Sequence, residues 1–184
     1  MSQPDIDKIY MHYTILRDSL KVTGRGYKSP AQSRLLKGTI FEVQTDGEYN
    51  TNSLETRNEL DDLIILSMFS VFETWMHDLV LNQMGVLKTI LPADFGARLY
   101  EYVEKEIEWW KNKDVIHFFK CMTPGTNSKM LQIKDYRDWV AHGKKIGKKP
   151  INTDPETVYT AISSFISETD LALRHPNPQH HSHP

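Results

Sequence analysis

Between Ser53 and Gly85 the chain carries Leu60, Leu63, Ile64, Met68, Val71, Phe72, Trp75, Met76 and Leu79. Their three-and-four spacing marks one long helix. The apolar face they cover is broader than the single stripe of a helix lying on a surface. Such a helix has to be surrounded, by other helices or by a second copy of the chain. Ser53 is placed to cap its start, with Thr56 and Arg57 in the first turns, and Gly85 is placed to stop it after about Met84. The most apolar part, residues 63–72, contains Ser67 and Ser70 and is too short to span a bilayer.

Helical periodicity extends through most of the chain. Ile6, Ile9, Tyr10, Tyr13, Leu16 and Leu20 form one stripe over about residues 5–22, and the segment 23–30, with Gly24, Gly26 and Pro30, reads as its break. Residues 39–43 read as a short strand or an irregular loop; with no partner strand, a sheet is disfavoured. Pro92 opens a third helix reaching about Lys111, with Glu101, Glu104, Glu106 and Glu108 on a solvated face. Trp109, Trp110, Phe118 and Phe119 read as core or interface. A turn at 124–127 precedes a fourth helix over about 128–142, ended by Gly143. Asp154 caps a last helix with Pro155 at its first position and Val158, Ile162, Phe165, Ile166 and Leu171 as its buried stripe. The expectation is an all-α, up-and-down bundle of about five helices, one domain over 1–174. Residues 175–184, rich in Pro and His, read as a disordered tail whose His180, His181 and His183 make at most a weak metal site.

Composition removes several classes. The 184 residues suit one domain, and 39 % hydrophobic with 25 % charged residues is a globular balance. One cysteine, Cys121, allows neither a disulfide framework nor a four-cysteine zinc site, and fits a reducing, cytoplasmic setting. Cys121 itself reads as a small core residue. The first residues are acidic and lack an apolar run, so no signal peptide is expected. No Gly-rich dinucleotide or phosphate loop and no paired-histidine zinc helix is present, and no cofactor or metal is implied. The formal charge of −2 hides an asymmetry: residues 134–149 hold six bases and two acids, a net +4, which leaves −6 for the rest. A basic patch on an acidic body attracts a phosphate-bearing partner; the plainer reading is a solvated lysine loop.

The patch begins with Tyr136-Arg137-Asp138-Trp139-Val140-Ala141-His142-Gly143. Asp138 and His142, four apart on a helix, share a face, where a carboxylate orients an imidazole and raises its pKa. Arg137 and His142 are five apart, about 140° around the helix, and do not easily converge from one helix, whereas two copies crossing in a symmetric dimer could place both groups in a shared cleft. Histidine moves protons near neutral pH and arginine stabilises charge on phosphoryl oxygens. Together they suffice for RNA cleavage in which the ribose 2′-hydroxyl is the nucleophile. The plainer reading is a helix-terminal histidine favoured by the helix dipole and an ordinary surface pair. Glu73, a carboxylate on the apolar central helix, either pairs with a cation such as Arg137 or lies at the helix margin. Lys144, Lys145, Lys148 and Lys149 are the candidate phosphate contacts. Trp75 and Trp139 read as core or interface aromatics.

Arg137-Asp138-x-x-x-His142 resembles the Arg-polar-x-x-x-His signature of the HEPN superfamily (higher eukaryotes and prokaryotes nucleotide-binding domains). The surroundings are similar too: a long central helix with Phe72-Glu73, a glycine and basic loop after the signature, and the Pro-led final helix at Asp154-Pro155-Glu156. The resemblance covers roughly residues 54–173. It implies a helical homodimer joined through the signature helices and a metal-independent endoribonuclease serving as a toxin or phage-defence effector. Arg137 and His142 would be the catalytic pair and Asp138 the orienting polar residue. Members controlled by tyrosine modification carry that tyrosine two residues after the histidine, where this chain has Lys144. Other members are silent modules that bind nucleotide or a protein partner. RNA, a second copy and a cognate antitoxin or regulatory protein are therefore the expected partners, and no membrane.

Overall fold

A computed structural model describes residues 4–29, 34–145 and 147–175. The described residues hold six α-helices and no strand: α1 (Pro4–Tyr27), α2 (Asp46–Ile90), α3 (Ala93–Glu106), α4 (Asn112–Phe118), α5 (Asn127–Ala141) and α6 (Pro155–Arg174). The all-α class matches the periodicity. The expected tail beyond His175 lies outside the described residues.

α2 is the axis. Its 45 residues extend roughly 68 Å at 1.5 Å per residue, and all five other helices pack along it. It starts eight residues before Ser53, at a capping box on Thr45. The Glu48 N–H reaches the Thr45 hydroxyl at 3.4 Å, and the Glu48 carboxylate takes the Thr45 N–H at 2.8 Å. It also runs through Gly85. The stop is Pro92, which forces Leu91 into extended backbone at ψ 160°. By length and composition α2 could cross a bilayer, and its Ile65, Met68, Phe69, Phe72, Trp75 and Met76 form the centre of the bundle.

α1 likewise outlasts its expected break. Tyr27 stacks on Tyr49 of α2 with ring centres 3.9 Å apart and donates its hydroxyl to the Gln44 carbonyl. At Gly24 a Cβ would stand 2.9 Å from the Tyr49 hydroxyl, so the glycine serves close approach rather than chain reversal. Residues 40–42 form a 3-10 turn, not a strand. α3 ends at Glu106, a 3-10 turn covers Ile107–Trp109, and the sequence reading missed α4 altogether.

The core is aromatic at its centre. Phe165 of α6 meets Phe72, Trp75 and Phe119 through ring edges, and Ile65, Met68, Met76, Ile116, Met130, Ile133, Val158 and Ile162 close around them. The paired aromatics split: Phe119 is buried and Trp110 packs on the core, whereas Trp109 is 80 % exposed and Phe118 also faces outward. Leu171 and Cys121, both expected inside, are exposed. α6 matches its reading closely, with Asp154 accepting the Thr157 N–H at 2.8 Å and Pro155 at the first position.

Candidate functional site

The last turn of α5 is stopped by two backbone bonds. The Gly143 N–H bonds the Val140 carbonyl at 2.8 Å and the Lys144 N–H bonds the Trp139 carbonyl at 2.9 Å. This double closure over a left-handed Gly143 (φ 70°) is a Schellman motif, as a glycine after a helix suggests. His142 is the cap residue, with ψ 17°, so the chain leaves the helical path after it.

The expected Asp138–His142 side-chain contact does not form. His142 reaches Asp138 only through its backbone N–H, which bonds the Asp138 carbonyl oxygen at 2.9 Å. The Asp138 carboxylate instead binds Arg137 Nη1 at 2.9 Å and Lys134 Nζ at 2.9 Å. Burial alone would lower the Lys134 ammonium; its bonds to Asp138 and Asp135 outweigh that and hold its pKa up. The His142 imidazole is exposed and has no hydrogen-bond partner among the described residues.

Arg137 is the most constrained member of the cluster. Nη2 meets Glu73 Oε2 at 2.5 Å, so the α2 carboxylate takes the first of its two sequence readings. The guanidinium carbon stands 5.0 Å from the centre of the Phe69 ring. Two carboxylates therefore fix the plane of the guanidinium, and three of its five N–H groups stay uncommitted. Glu73, Asp135 and Asp138 with Arg137 and Lys134 are three acids and two bases, so the cluster carries a formal charge of −1. An incoming phosphate meets an arginine that is oriented but already compensated.

The four lysines differ in surroundings. Lys144 has left-handed backbone (φ 60°), binds Asp62 Oδ2 at 2.8 Å and also binds Glu59. Those two bonds hold its ammonium pKa up against burial. Lys149 bonds Asn152 at 3.2 Å and lies over the Tyr136 ring. Lys145 and Lys148 are exposed and make no ion pair among the described residues. Trp75 is buried and Trp139 half-buried, as core aromatics would be.

Sequence reasoning missed Asp62 and Tyr136. The Tyr136 hydroxyl donates to Asp62 Oδ1 at 2.5 Å, and both residues are buried. The signal was present: Asp62 is three, seven and ten residues before Ile65, Phe69 and Phe72, which puts a charge on the core face of α2. A separate apolar hollow of about 250 Å³, lined by residues such as Leu79, Trp110, Phe119 and Met122, shares no residue with this cluster. No group of three or more His, Cys, Asp or Glu able to hold a metal exists among the described residues; the tail histidines lie outside them. Neither protein-family models, nor curated proteins, nor solved structures yield a match to this chain.

Proposed function

We propose that this chain is a metal-independent endoribonuclease of the HEPN type, acting as a cytoplasmic homodimer in a toxin or phage-defence role. One observation carries the reading. At the end of α5, Arg137 is held in a fixed plane by Glu73 and Asp138, while the His142 imidazole, five residues on, is exposed and unpartnered among the described residues, beside a lysine loop. Positioned cation and free proton carrier are what phosphodiester transesterification needs.

In the proposed reaction the ribose 2′-oxygen attacks the adjacent phosphorus as the bond from phosphorus to the 5′-oxygen breaks. One imidazole takes the 2′-hydroxyl proton and an imidazolium returns a proton to the leaving 5′-oxygen. In a symmetric dimer the two copies of His142 supply both roles. Arg137 donates its free N–H groups to the phosphoryl oxygens as their charge builds. The products are a 2′,3′-cyclic phosphate and a 5′-hydroxyl. A cognate antitoxin or regulatory protein would restrain the activity.

The compensation of Arg137 by Glu73 and Asp138 favours a second reading, a silent HEPN-like module that binds nucleotide or a protein partner. Incubation of the purified protein with total RNA and tRNA in EDTA separates the two. Wild type should cleave to cyclic-phosphate ends, and His142→Ala or Arg137→Ala should lose roughly 10²–10⁴ in rate while still folding and dimerising. Cleavage surviving both substitutions would remove this site from the reaction; absence of cleavage in wild type would favour the silent module.

A further inference from the structure

Asp62 is 6 % exposed, yet it carries a carboxylate in the core face of α2. A buried carboxylate is costly unless both oxygens are satisfied. Here Oδ1 takes the Tyr136 hydroxyl and Oδ2 takes Lys144 Nζ at 2.8 Å, with Glu59, about one turn earlier on α2, holding the same ammonium. Withdrawing Lys144 toward a phosphate would leave half of Asp62 unpaired in the bundle. Lys144 is also the one non-glycine residue with positive φ among those described. An L residue keeps that conformation only when its surroundings hold it.

The other end of the loop returns to the same tyrosine. Lys149 places Nζ 5.3 Å from the centre of the Tyr136 ring and bonds the Asn152 side chain. Tyr136 thus meets residue 144 through its hydroxyl and Asp62, and residue 149 through its ring. His142 is two residues from the first of these anchors, and its imidazole has no bond of its own among the described residues to fix it. Lys145 and Lys148, between the anchors, are exposed and free of ion pairs among the described residues.

We infer that Tyr136 and Asp62 anchor both ends of the basic loop, so that Lys144 and Lys149 are positioning residues for the His142 turn and Lys145 and Lys148 are the phosphate-contacting pair. The catalytic half of this statement rests on the nuclease reading. The anchoring half does not.

The test uses the full chain with a labelled single-stranded RNA. Lys144→Met should lower kcat by roughly 10- to 100-fold with KM within about twofold, because a misplaced general acid–base group costs chemistry rather than binding. Amide exchange at His142–Lys144 should quicken in Lys144→Met and Tyr136→Phe, and Lys144→Arg should restore most of kcat. The double variant Lys145→Met, Lys148→Met should raise KM, keep the amides protected and reduce the salt slope of binding by about 1.4, at 0.7 per lysine on single strands. The anchor is overturned if Lys144→Met keeps its kcat and its protected amides and only raises KM. If wild type cleaves no RNA, the nuclease reading has failed; amide exchange in Lys144→Met and Tyr136→Phe then decides the anchor, quickened exchange supporting it and unchanged exchange overturning it.

Discussion

Tyr136 buries its ring while its hydroxyl stays on Asp62, and Tyr13 of α1 does the same with Asp61 at 2.8 Å. Burial first, and then the bond to Asp62, pushes the Tyr136 phenol up; burial and Asp61 push Tyr13 up to about 12. In each case the folded pKa lies above the unfolded value of about 10. The stabilisation is therefore complete below about pH 10 and is lost as pH rises through the folded values. The Lys144 ammonium, also held up, adds loss of the same sign at high pH. Urea unfolding of wild type should show falling stability from about pH 10 upward. The double variant Tyr13→Phe, Tyr136→Phe should start lower and fall less steeply. A decline as steep as that of wild type would show that these phenols do not carry the alkaline limit. Legibility at this scale followed cost. Glu73 could be read as the partner of a cation because an unpaired carboxylate on an apolar helix is expensive, and Asp62 was open to the same reasoning. The Asp138–His142 contact fails because Lys134 and Arg137 take both oxygens of the Asp138 carboxylate, and spacing does not show which of several cations wins.

Helix boundaries turn on a few residues that either tolerate a neighbour or forbid one. Gly85 sits inside α2, where an added Cβ meets nothing within 4 Å. Gly85→Ala should therefore stabilise the chain by roughly 0.5–1 kcal/mol, through helix propensity alone. At Gly96 on α3 the same methyl would stand 2.7 Å from the Leu87 carbonyl oxygen of α2. Neither backbone can yield without opening the α2–α3 packing, so Gly96→Ala should destabilise by about 1–3 kcal/mol. Thermal unfolding reads both, at roughly 2–4 °C per kcal/mol for a chain of this size. Equal effects of the two substitutions would mean that the α2–α3 crossing is looser than its geometry. The same contrast explains what the sequence hid. Glycine reads as a stop only where something competes with the helix, and nothing does at Gly85. Ser53 looked like a cap, but the reciprocal pair Thr45 and Glu48 offers two bonds to its one. α4 escaped notice because seven residues are too few for apolar periodicity to declare itself.

On the scale of the molecule, the breadth of the apolar pattern on α2 is only partly accounted for by one copy of the bundle. Ile65, Phe69, Phe72 and Met76 are fully covered, yet Leu63 remains 61 % exposed, and on α1 Met11 and Ile15 are also more than half exposed. The proposed homodimer would give such side chains a partner and would place two α5 ends in one cleft. Its consequence is specific. If Arg137 of one copy serves with His142 of the other, a heterodimer of Arg137→Ala and His142→Ala contains one complete pair across the interface. Random exchange makes about half the dimers heterodimers with one of two pairs intact, so a reaction that needed only one pair would recover roughly a quarter of the wild-type rate on mixing. The proposed reaction uses both imidazoles, one as base and one as acid, and a heterodimer keeps only one, so the mixture should stay inactive although the chains exchange. Light scattering at the assay concentration fixes the oligomer, and differently tagged copies report the exchange. A monomer that cleaves RNA would remove the dimer from the mechanism. Recovery on mixing would overturn the two-imidazole chemistry and put Arg137 and His142 on opposite copies, because within one copy neither variant retains both groups.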